Sequence, residues 1–458
     1  RLAAPGATAA TWTAAVDVRA ALTTAGFDVR LAPGIGGKRE ITLARFNPRF
    51  ATRHPPNPAC QTDRAVVIGA GLAGAAVAQA LAQLGLKVQV FEANQQPAQG
   101  ASGNLAGIFH GSVNGDDGTH ARLFRAAAIA AQAAYGPAIA AGAVRGSASG
   151  LLRVAGTAEE EARWREVLQR AGLPPEYVQW LGQEAASTRA GTALPGPAWW
   201  YPGGGWIAPV EWVRHALEAS GAHLHFGTAV HGLHRAGESW QALGEQGRVL
   251  ASAGIVVLAH AEGSAPLLSS LGLPAWPLQR TRGQVTHWAG ETSPLQCPVA
   301  GDGYALPLPG GGLLCGATRQ ADDEDPSIRP ADHLHNLERL QRLTGLPPPA
   351  DRTTLAGRVG WRLHSPDRLP IAGALPDWPW PPSQRADQAR LLPRRQGLFV
   401  LTGLGARGLT LAPLMARLVA AQATGTPWPV EQDLADAVDP ARWLVRQARA
   451  AAGRNQPG

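Results

Sequence analysis

The sequence predicts an α/β fold with a second, α+β portion, and three observations predict it. In residues 64–92 a short apolar run, Ala65 to Ile68, leads into Gly69, Gly71 and Gly74 at the spacing G-x-G-x-x-G. An Ala- and Leu-rich helix follows, and then a second strand, Val88 to Phe91, which ends at Glu92. Residues 397–425 repeat that logic near the other end of the chain, as strand, glycine-rich loop and apolar helix. Between the two, 277–288 and 303–319 have the pattern of strands in another sheet. The expected architecture is a Rossmann-like domain interrupted by an antiparallel-sheet domain.

The first unit carries the clearest chemistry. Glycines are needed there because a pyrophosphate must lie against bare backbone N–H groups at the positive end of a helix, where a Cβ would push it away. Gly69, Ala70, Gly71, Leu72 and Gly74 form this cradle. Glu92 can accept both hydrogen bonds of a ribose diol and disfavours a 2′-phosphate. In 99–111 (QGASGNLAGIFHG) small residues around Ala101 and Ser102, with Asn104 and Gly107, permit a second approach of backbone to the same cofactor.

A chain of 458 residues suggests two to three folding units. Its charge of +7 rests almost wholly on arginine, since Lys38 and Lys87 are the only lysines. Such a balance permits a phosphate-rich partner such as RNA, although a composition rich in Ala, Gly, Pro and Arg accounts for it nearly as well. Cys60, Cys297 and Cys315 show no metal spacing and suit a reducing cytoplasm. Apolar stretches are too short or too broken to span a membrane. Arg1 in place of Met is consistent with a piece of a longer protein.

Taken in order, 13–25 predict a helix stopped by Gly26, and FDVRLA and REITLARF two strands around a glycine-rich turn. This unit, 1–46, has too little apolar surface to fold alone. Residues 47–62, with four prolines, predict an extended linker. Helices are expected over 119–141, 157–172, from Pro209, and over 331–344. The aromatic WWYPGGGW, 199–206, offers either a lining for a planar substrate or core filler. Val230, in the strand and turn HLHFGTAVHGL (223–233), is a further candidate cofactor contact; His223, His225, His231 and the adjoining His234 lack metal-ligand pairing. GIVVLAH, 254–260, predicts a buried strand, and DDEDPS, 322–327, a solvated acidic loop.

VVIGAGLAG…E, GASGN, RGQV, DRLPIAG and GLGARGLT, in that order over about 63–440, resemble the FAD-dependent amine oxidoreductases of the D-amino acid, glycine and sarcosine oxidase type. The resemblance implies FAD held by the first loop and Glu92, with Gly405, Arg407, Gly408, Leu409 and Thr410 beside the flavin. A helix N-terminus there stabilises a reduced, anionic flavin. It also divides 63–458 into FAD-binding parts (about 63–145, 200–265, 355–440) and substrate parts (about 146–199, 266–354). Arg362 matches the carboxylate-binding arginine of the small amino-acid oxidases. Arg282 is the second candidate, with Tyr304 and His364 as weaker ones. Sarcosine-type oxidases tether flavin through a cysteine in the segment matching 358–367; none stands here, so FAD is expected to be non-covalent.

GASGNLAG, YPGGGWIAP, RTRGQV, RVGWRLHSPDRLPIAG and GARGLTLAPLMARLVAAQ further resemble the oxidoreductase half of the bifunctional family that builds 5-methylaminomethyl-2-thiouridine in tRNA. Residues 11–46 are similar to the last helix and hairpin of that family's class I methyltransferase half, whose S-adenosylmethionine loop would lie upstream of Arg1. The implied activity is oxidative removal of a carboxymethyl arm from a wobble uridine, giving glyoxylate; S-adenosylmethionine would serve only the full-length protein. A free glycine- or sarcosine-type amine oxidase and a catalytically silent tRNA-binding module are the alternatives. Arg39, Arg45, Arg49 and Arg53 are candidate phosphate contacts.

Overall fold

The structure, a computed structural model, describes residues 6–47, 59–290, 293–381 and 386–454. Most of the predicted linker, together with Arg49 and Arg53, lies outside these. Residues 64–92 fold as strand Arg64–Ile68, helix Leu72–Gln83 and strand Lys87–Phe91. They form the centre of a six-stranded sheet in the order His223–His225, Lys87–Phe91, Arg64–Ile68, Ile255–Leu258, Arg394–Thr402, Ile371–Pro376. Pairing is parallel except at the last strand. Both faces of this sheet are covered, so its strands are continuous apolar runs rather than alternating ones. Val67, Ile255 and Val257 face helices Leu72–Gln83, Thr119–Ala140 and Gly408–Thr424. Val66, Val256 and Val400 face a three-stranded meander spanning 232–253. Each of these fully buried side chains contributes about 1.5–3 kcal/mol.

The second large sheet has nine strands, and Gln279–Trp288 is its hub. That strand pairs antiparallel with Leu313–Gly316 and Gln320–Ala321 on one side, and along its whole length with Ala356–His364 on the other. The sheet continues through Gly303–Pro307, Val299–Gly301, Leu151–Val154, Ala198–Tyr201 and Gln179–Leu181. Two of the predicted boundaries therefore move. Ala356–His364 and Ala198–Tyr201 belong to this nine-stranded sheet, because their backbone groups are satisfied by its strands and not by the parallel sheet.

Side chains alternate across this sheet, so pairing decides which residues share a face. Helix Pro330–Thr344 covers one face, burying Leu337, Leu340 and Leu343 against Leu152, Val299, Ala305 and Cys315. Leu151, Trp199, Tyr201, Ala300, Tyr304 and Val285 lie on the other. That second face turns toward the glycine loops of the parallel-sheet domain.

Residues 6–47 form helix Val16–Thr24 and a three-stranded sheet, Thr8–Thr11, Glu40–Phe46 and Phe27–Pro33; the first strand was not anticipated. Thr42 and Ala44 are buried, while Trp12, Val16 and Ile35 stay exposed, so this unit has almost no core of its own. Arg39 and Arg45 are exposed on its hairpin.

Candidate active site

The first glycine turn is built by close approach. Gly69 has φ +105°, and a Cβ there would lie 2.7 Å from His260 Cβ and 2.8 Å from the Ala259 oxygen. A Cβ on Gly74 would stand 1.8 Å from the Gly69 oxygen, so the helix rests directly on the turn. Ala70 N–H donates to Glu92 Oε2 at 2.8 Å, and Asn94 donates to Oε1 from its backbone at 2.9 Å and its amide at 2.6 Å. The carboxylate is thereby fixed at the mouth of the turn. Thr228 N–H donates to the Glu92 oxygen at 2.9 Å, which brings the loop carrying Val230 alongside.

The other predicted cofactor segments converge here. Ser102, in the short turn Ala101–Gly103, accepts from Leu72 N–H through Oγ at 3.0 Å. A Cβ on Gly107 would lie 2.7 Å from Leu409 Cδ1, and one on Gly408 would lie 3.6 Å from Leu72 Cδ1. His110 N–H donates to Thr410 Oγ1 at 3.4 Å, and Tyr135 Oη donates to the Leu409 oxygen at 2.6 Å. The turn Gly405–Arg407 opens helix Gly408–Thr424 beside the start of helix Leu72–Gln83. Two helix N-termini and a fixed carboxylate, approached through bare glycine backbone, fit a dinucleotide such as FAD.

Strand Ala356–His364 joins these loops to the substrate sheet. Arg358 donates to the Gln99 oxygen at 2.9 Å, the Gly100 oxygen at 2.7 Å and Asn104 Oδ1 at 3.4 Å. Asn104 thus has its side-chain oxygen occupied by Arg358. His364, 7 % exposed, pairs with Leu404 through the backbone. Its ring shares a hydrogen bond with Thr281 Oγ1 at 2.9 Å, and Nδ1 lies 3.3 Å from the Ser365 oxygen, so it braces the second loop rather than facing substrate as a base.

Arg362 lies on the same face as Arg358, Gly360 and His364. Its guanidinium crosses Gly283, where a Cβ would stand 2.1 Å from Nη2, and donates to the Thr318 oxygen at 2.5 Å. Among the described residues it has no acidic partner. Burial pushes it below the usual arginine range, with Tyr304 opposing that shift. The Tyr304 hydroxyl is pushed up to about 12, again by burial, so it stays protonated at neutral pH.

Arg282 is a correction. One residue out of step with Thr281, it points to the helix face and is 0 % exposed. It donates to Asp332 Oδ2 and Gln320 Oε1, each at 2.7 Å, and to the Asp325 and Ser327 oxygens at 2.7 and 2.6 Å. With four of its five N–H donors on internal acceptors and no exposed surface, this guanidinium cannot offer a substrate carboxylate a two-pronged clasp. The acidic loop is likewise more than solvated surface, since Asp323 and Asp325 hold Arg329 while their segment closes over Arg282.

Arg407 lies next to His110, donating to Nε2 at 2.6 Å while Nδ1 sits 2.6 Å from the Gly111 oxygen. Burial and then Arg153 push it down to about 10, still charged at neutral pH. His110, 2 % exposed, is held well below its usual range by burial and Arg407. Arg153 and Arg358 were not singled out from the sequence, and His110 and Tyr201 entered only as members of the segments 99–111 and 199–206, with no role of their own. Counting back by two from Arg362 finds Arg358; the other three need the sheet pairing. Two surface hollows, of about 200 and 340 Å³, lie behind Leu105 and include Arg145 and His287 but neither Arg362 nor Tyr304. Among the described residues there is no group of three metal-ligating side chains, and no helix is long and apolar enough to cross a membrane. Cys60, Cys297 and Cys315 are free thiols.

Residues 64–422 match the family model described as FAD dependent oxidoreductase, and residues 1–47 that of an S-adenosyl-L-methionine-dependent methyltransferase. The chain is 47 % identical over 470 residues to the tRNA 5-methylaminomethyl-2-thiouridine biosynthesis bifunctional protein MnmC of Methylibium petroleiphilum, covering 98 % of this chain and 71 % of that protein. Its namesake from Paraburkholderia xenovorans is 39 % identical over 475 residues, covering 98 % and 70 %. Among solved structures, glycine oxidase from Geobacillus kaustophilus superposes with a TM-score of 0.62 at 26 % identity, over 80 % of this chain and 96 % of that one. L-proline dehydrogenase from P. horikoshii gives 0.65 at 17 % identity, over 84 % and 98 %, a likeness of fold alone. The chain belongs to the FAD-dependent oxidoreductase family and, within it, to the bifunctional tRNA 5-methylaminomethyl-2-thiouridine biosynthesis proteins.

Proposed function

We propose that this chain removes the carboxymethyl group of 5-carboxymethylaminomethyl-(2-thio)uridine at the tRNA wobble position by FAD-dependent oxidation, leaving the 5-aminomethyl nucleoside and glyoxylate. The observation that carries this reading is Arg362, a half-buried guanidinium with no acidic partner among the described residues, set on the sheet face that meets both glycine loops. A secondary amine ending in a carboxylate supplies the missing anion.

Gly69–Gly74, Glu92, Ala101–Asn104, Gly107, Val230 and Gly405–Thr410 would hold FAD, which when bound accepts hydride from the carbon between nitrogen and carboxylate. Arg362 takes the carboxylate, its fork geometry fixing the arm in direction as well as place. Gly283 leaves the space in which that guanidinium lies. Tyr304, neutral at working pH, offers an O–H to the same carboxylate. The arginine charges disfavour a protonated amine, and the reaction requires a free nitrogen lone pair. Cys315 faces helix Pro330–Thr344, on the side of the sheet away from the loops, which favours non-covalent FAD. S-adenosylmethionine would belong to the methyltransferase half that residues 1–47 match.

The likeness to glycine oxidase favours one second reading, oxidation of free glycine or sarcosine. Incubating the protein with undermodified tRNA, and separately with glycine or sarcosine, and assaying glyoxylate and the shortened nucleoside by mass spectrometry separates the two. Product from the amino acids alone overturns the tRNA reading. A purified protein without flavin absorbance would leave only a silent RNA-binding module.

A further inference from the structure

Two strands beyond Tyr304, on the same face of the substrate sheet, pairing sets Arg153 beside Ala300 and Trp199. Its guanidinium lies over the rings of Trp164 at 4.9 Å and Trp199 at 6.0 Å. Like Arg407, it has no acidic partner among the described residues. Tyr201 is 1 % exposed; the Arg153 guanidinium lies beside its Oη, and its O–H has no acceptor among the described residues, nor has Nε1 of Trp199, 2 % exposed. The His110 and Tyr177 rings stand 5.3 and 5.9 Å from that of Tyr201. Two cations without an anion, next to two buried donors without acceptors, make an incomplete site, because buried charges and polar groups are ordinarily paired.

The geometry points to this cluster of side chains as the seat of a backbone phosphate of RNA, adjoining the nucleotide whose arm reaches Arg362. The inference rests on the tRNA reading above. A backbone phosphodiester has two non-bridging oxygens, as a carboxylate does, but they are set tetrahedrally about phosphorus with the ester oxygens rather than in one plane, so donors converging from several directions can share them. Spacing argues the same way. Arg153 and Tyr304 are two strand spacings apart, roughly 10 Å, so a molecule the size of glycine cannot engage Arg362 and Arg153 together, while a nucleotide with its side arm can. Aromatic walls next to a phosphate site also suit a single-stranded, splayed base.

The test uses the FAD-loaded protein and glyoxylate release from two probes: the nucleoside 5-carboxymethylaminomethyluridine, and the same nucleoside carrying 5′- and 3′-phosphates. Phosphorylation should lower KM at least tenfold. In Arg153→Met the ratio of the two KM values should fall toward one, and Arg153→Lys, which keeps the charge over the tryptophans, should retain part of it. Should Arg153→Met fail to hold flavin, the lysine variant alone carries the comparison. A wild-type ratio near one, or a ratio unmoved by either variant, overturns the phosphate site while leaving the oxidation standing. A dicarboxylic amine such as iminodiacetate that outcompetes the phosphorylated probe, and loses that advantage in Arg153→Met, reassigns the cluster to a second carboxylate. Glyoxylate from neither probe and not from tRNA refutes the functional reading and this site together.

Discussion

The two faces of the substrate sheet use arginine in opposite ways. Under helix Pro330–Thr344, Arg282 is wholly enclosed and spends its donors on Asp332, Gln320 and two backbone oxygens. Around it the Asn336 amide donates to the Gln284 backbone oxygen and to Thr286 Oγ1, and the Gln284 amide pairs with the Arg329 backbone, while Asn336 Oδ1 has no partner among the described residues. On the facing side Arg362 and Arg153 have no carboxylate among the described residues, and the Tyr201 O–H has no acceptor there. Burying charge costs free energy wherever it occurs. On the helix face that cost is met within the chain; on the other it is left for a ligand to meet. Burial alone therefore does not separate a structural arginine from a binding one, whereas the partner inventory does.

The sharpest way to break this comparison is to unpair the closed face. Asp332→Ala leaves Arg282 buried and uncompensated, and should lower unfolding free energy by about 3–5 kcal/mol in urea titration. A loss below about 1 kcal/mol would mean that the helix face holds its arginine no more firmly than the open face does. Arg362→Ala should do the reverse. Stability should stay within about 1 kcal/mol of wild type, since no internal ion pair is lost, while kcat/KM for the carboxymethylaminomethyl substrate falls by about 3–4 kcal/mol of binding, roughly two to three orders of magnitude. Arg362→Lys should recover only part of it, because the fork is lost. Parallel stability changes in the two variants would erase the distinction.

How far this contrast was legible in advance depends on the range of the interactions. The turn at Gly69–Gly74 and its Glu92 are local: spacing, helix propensity and strand pattern agree within 29 residues, and the structure reproduces them. Arg362 could be named through a motif resemblance, though its missing partner could not. Arg282 looked equivalent because both arginines sit in strands. Only the register that sets Thr281 opposite Arg362 reveals that the two point to opposite faces. Arg153 was invisible for the same reason, since its neighbours Trp199 and Ala300 come from strands far apart in the chain. Charge density predicts a solvated acidic loop, and Asp322, Glu324, Pro326 and Ser327 are exposed; what it does not disclose is that Asp323 and Asp325 bind Arg329 at short range and that the Asp325 backbone binds Arg282 at long range.

A smaller test concerns Tyr304, placed between the two open-face arginines. Tyr304→Phe removes one O–H from the substrate carboxylate and leaves no buried acceptor behind, so kcat/KM should fall by about 1 kcal/mol, roughly fivefold. Its thermal midpoint should barely move. A loss as large as that of Arg362→Ala would show that the hydroxyl takes part in the chemistry beyond positioning, and the open face would then be more than a carboxylate clamp.

The last test asks whether the open side owes its charge to arginine alone. His110 accepts from Arg407 through Nε2, which requires a neutral ring, and burial with the neighbouring guanidinium keeps it so. Its folded pKa lies below the unfolded value of about 6.5. The native state therefore binds fewer protons there than the unfolded one, and the stability from this group is complete above about pH 6.5 and is lost as pH falls. His110→Asn keeps an acceptor for Arg407 but cannot titrate. The stability gap between wild type and variant, measured by urea unfolding, should therefore narrow by about 1 kcal/mol between pH 7.5 and 5.5. The other buried histidines are common to both proteins and cancel in that difference. A gap that stays constant or widens would mean that His110 is charged in the fold; Arg407 would then face a second cation instead of an acceptor, and the hydrogen bond that anchors it beside Tyr201 could not exist.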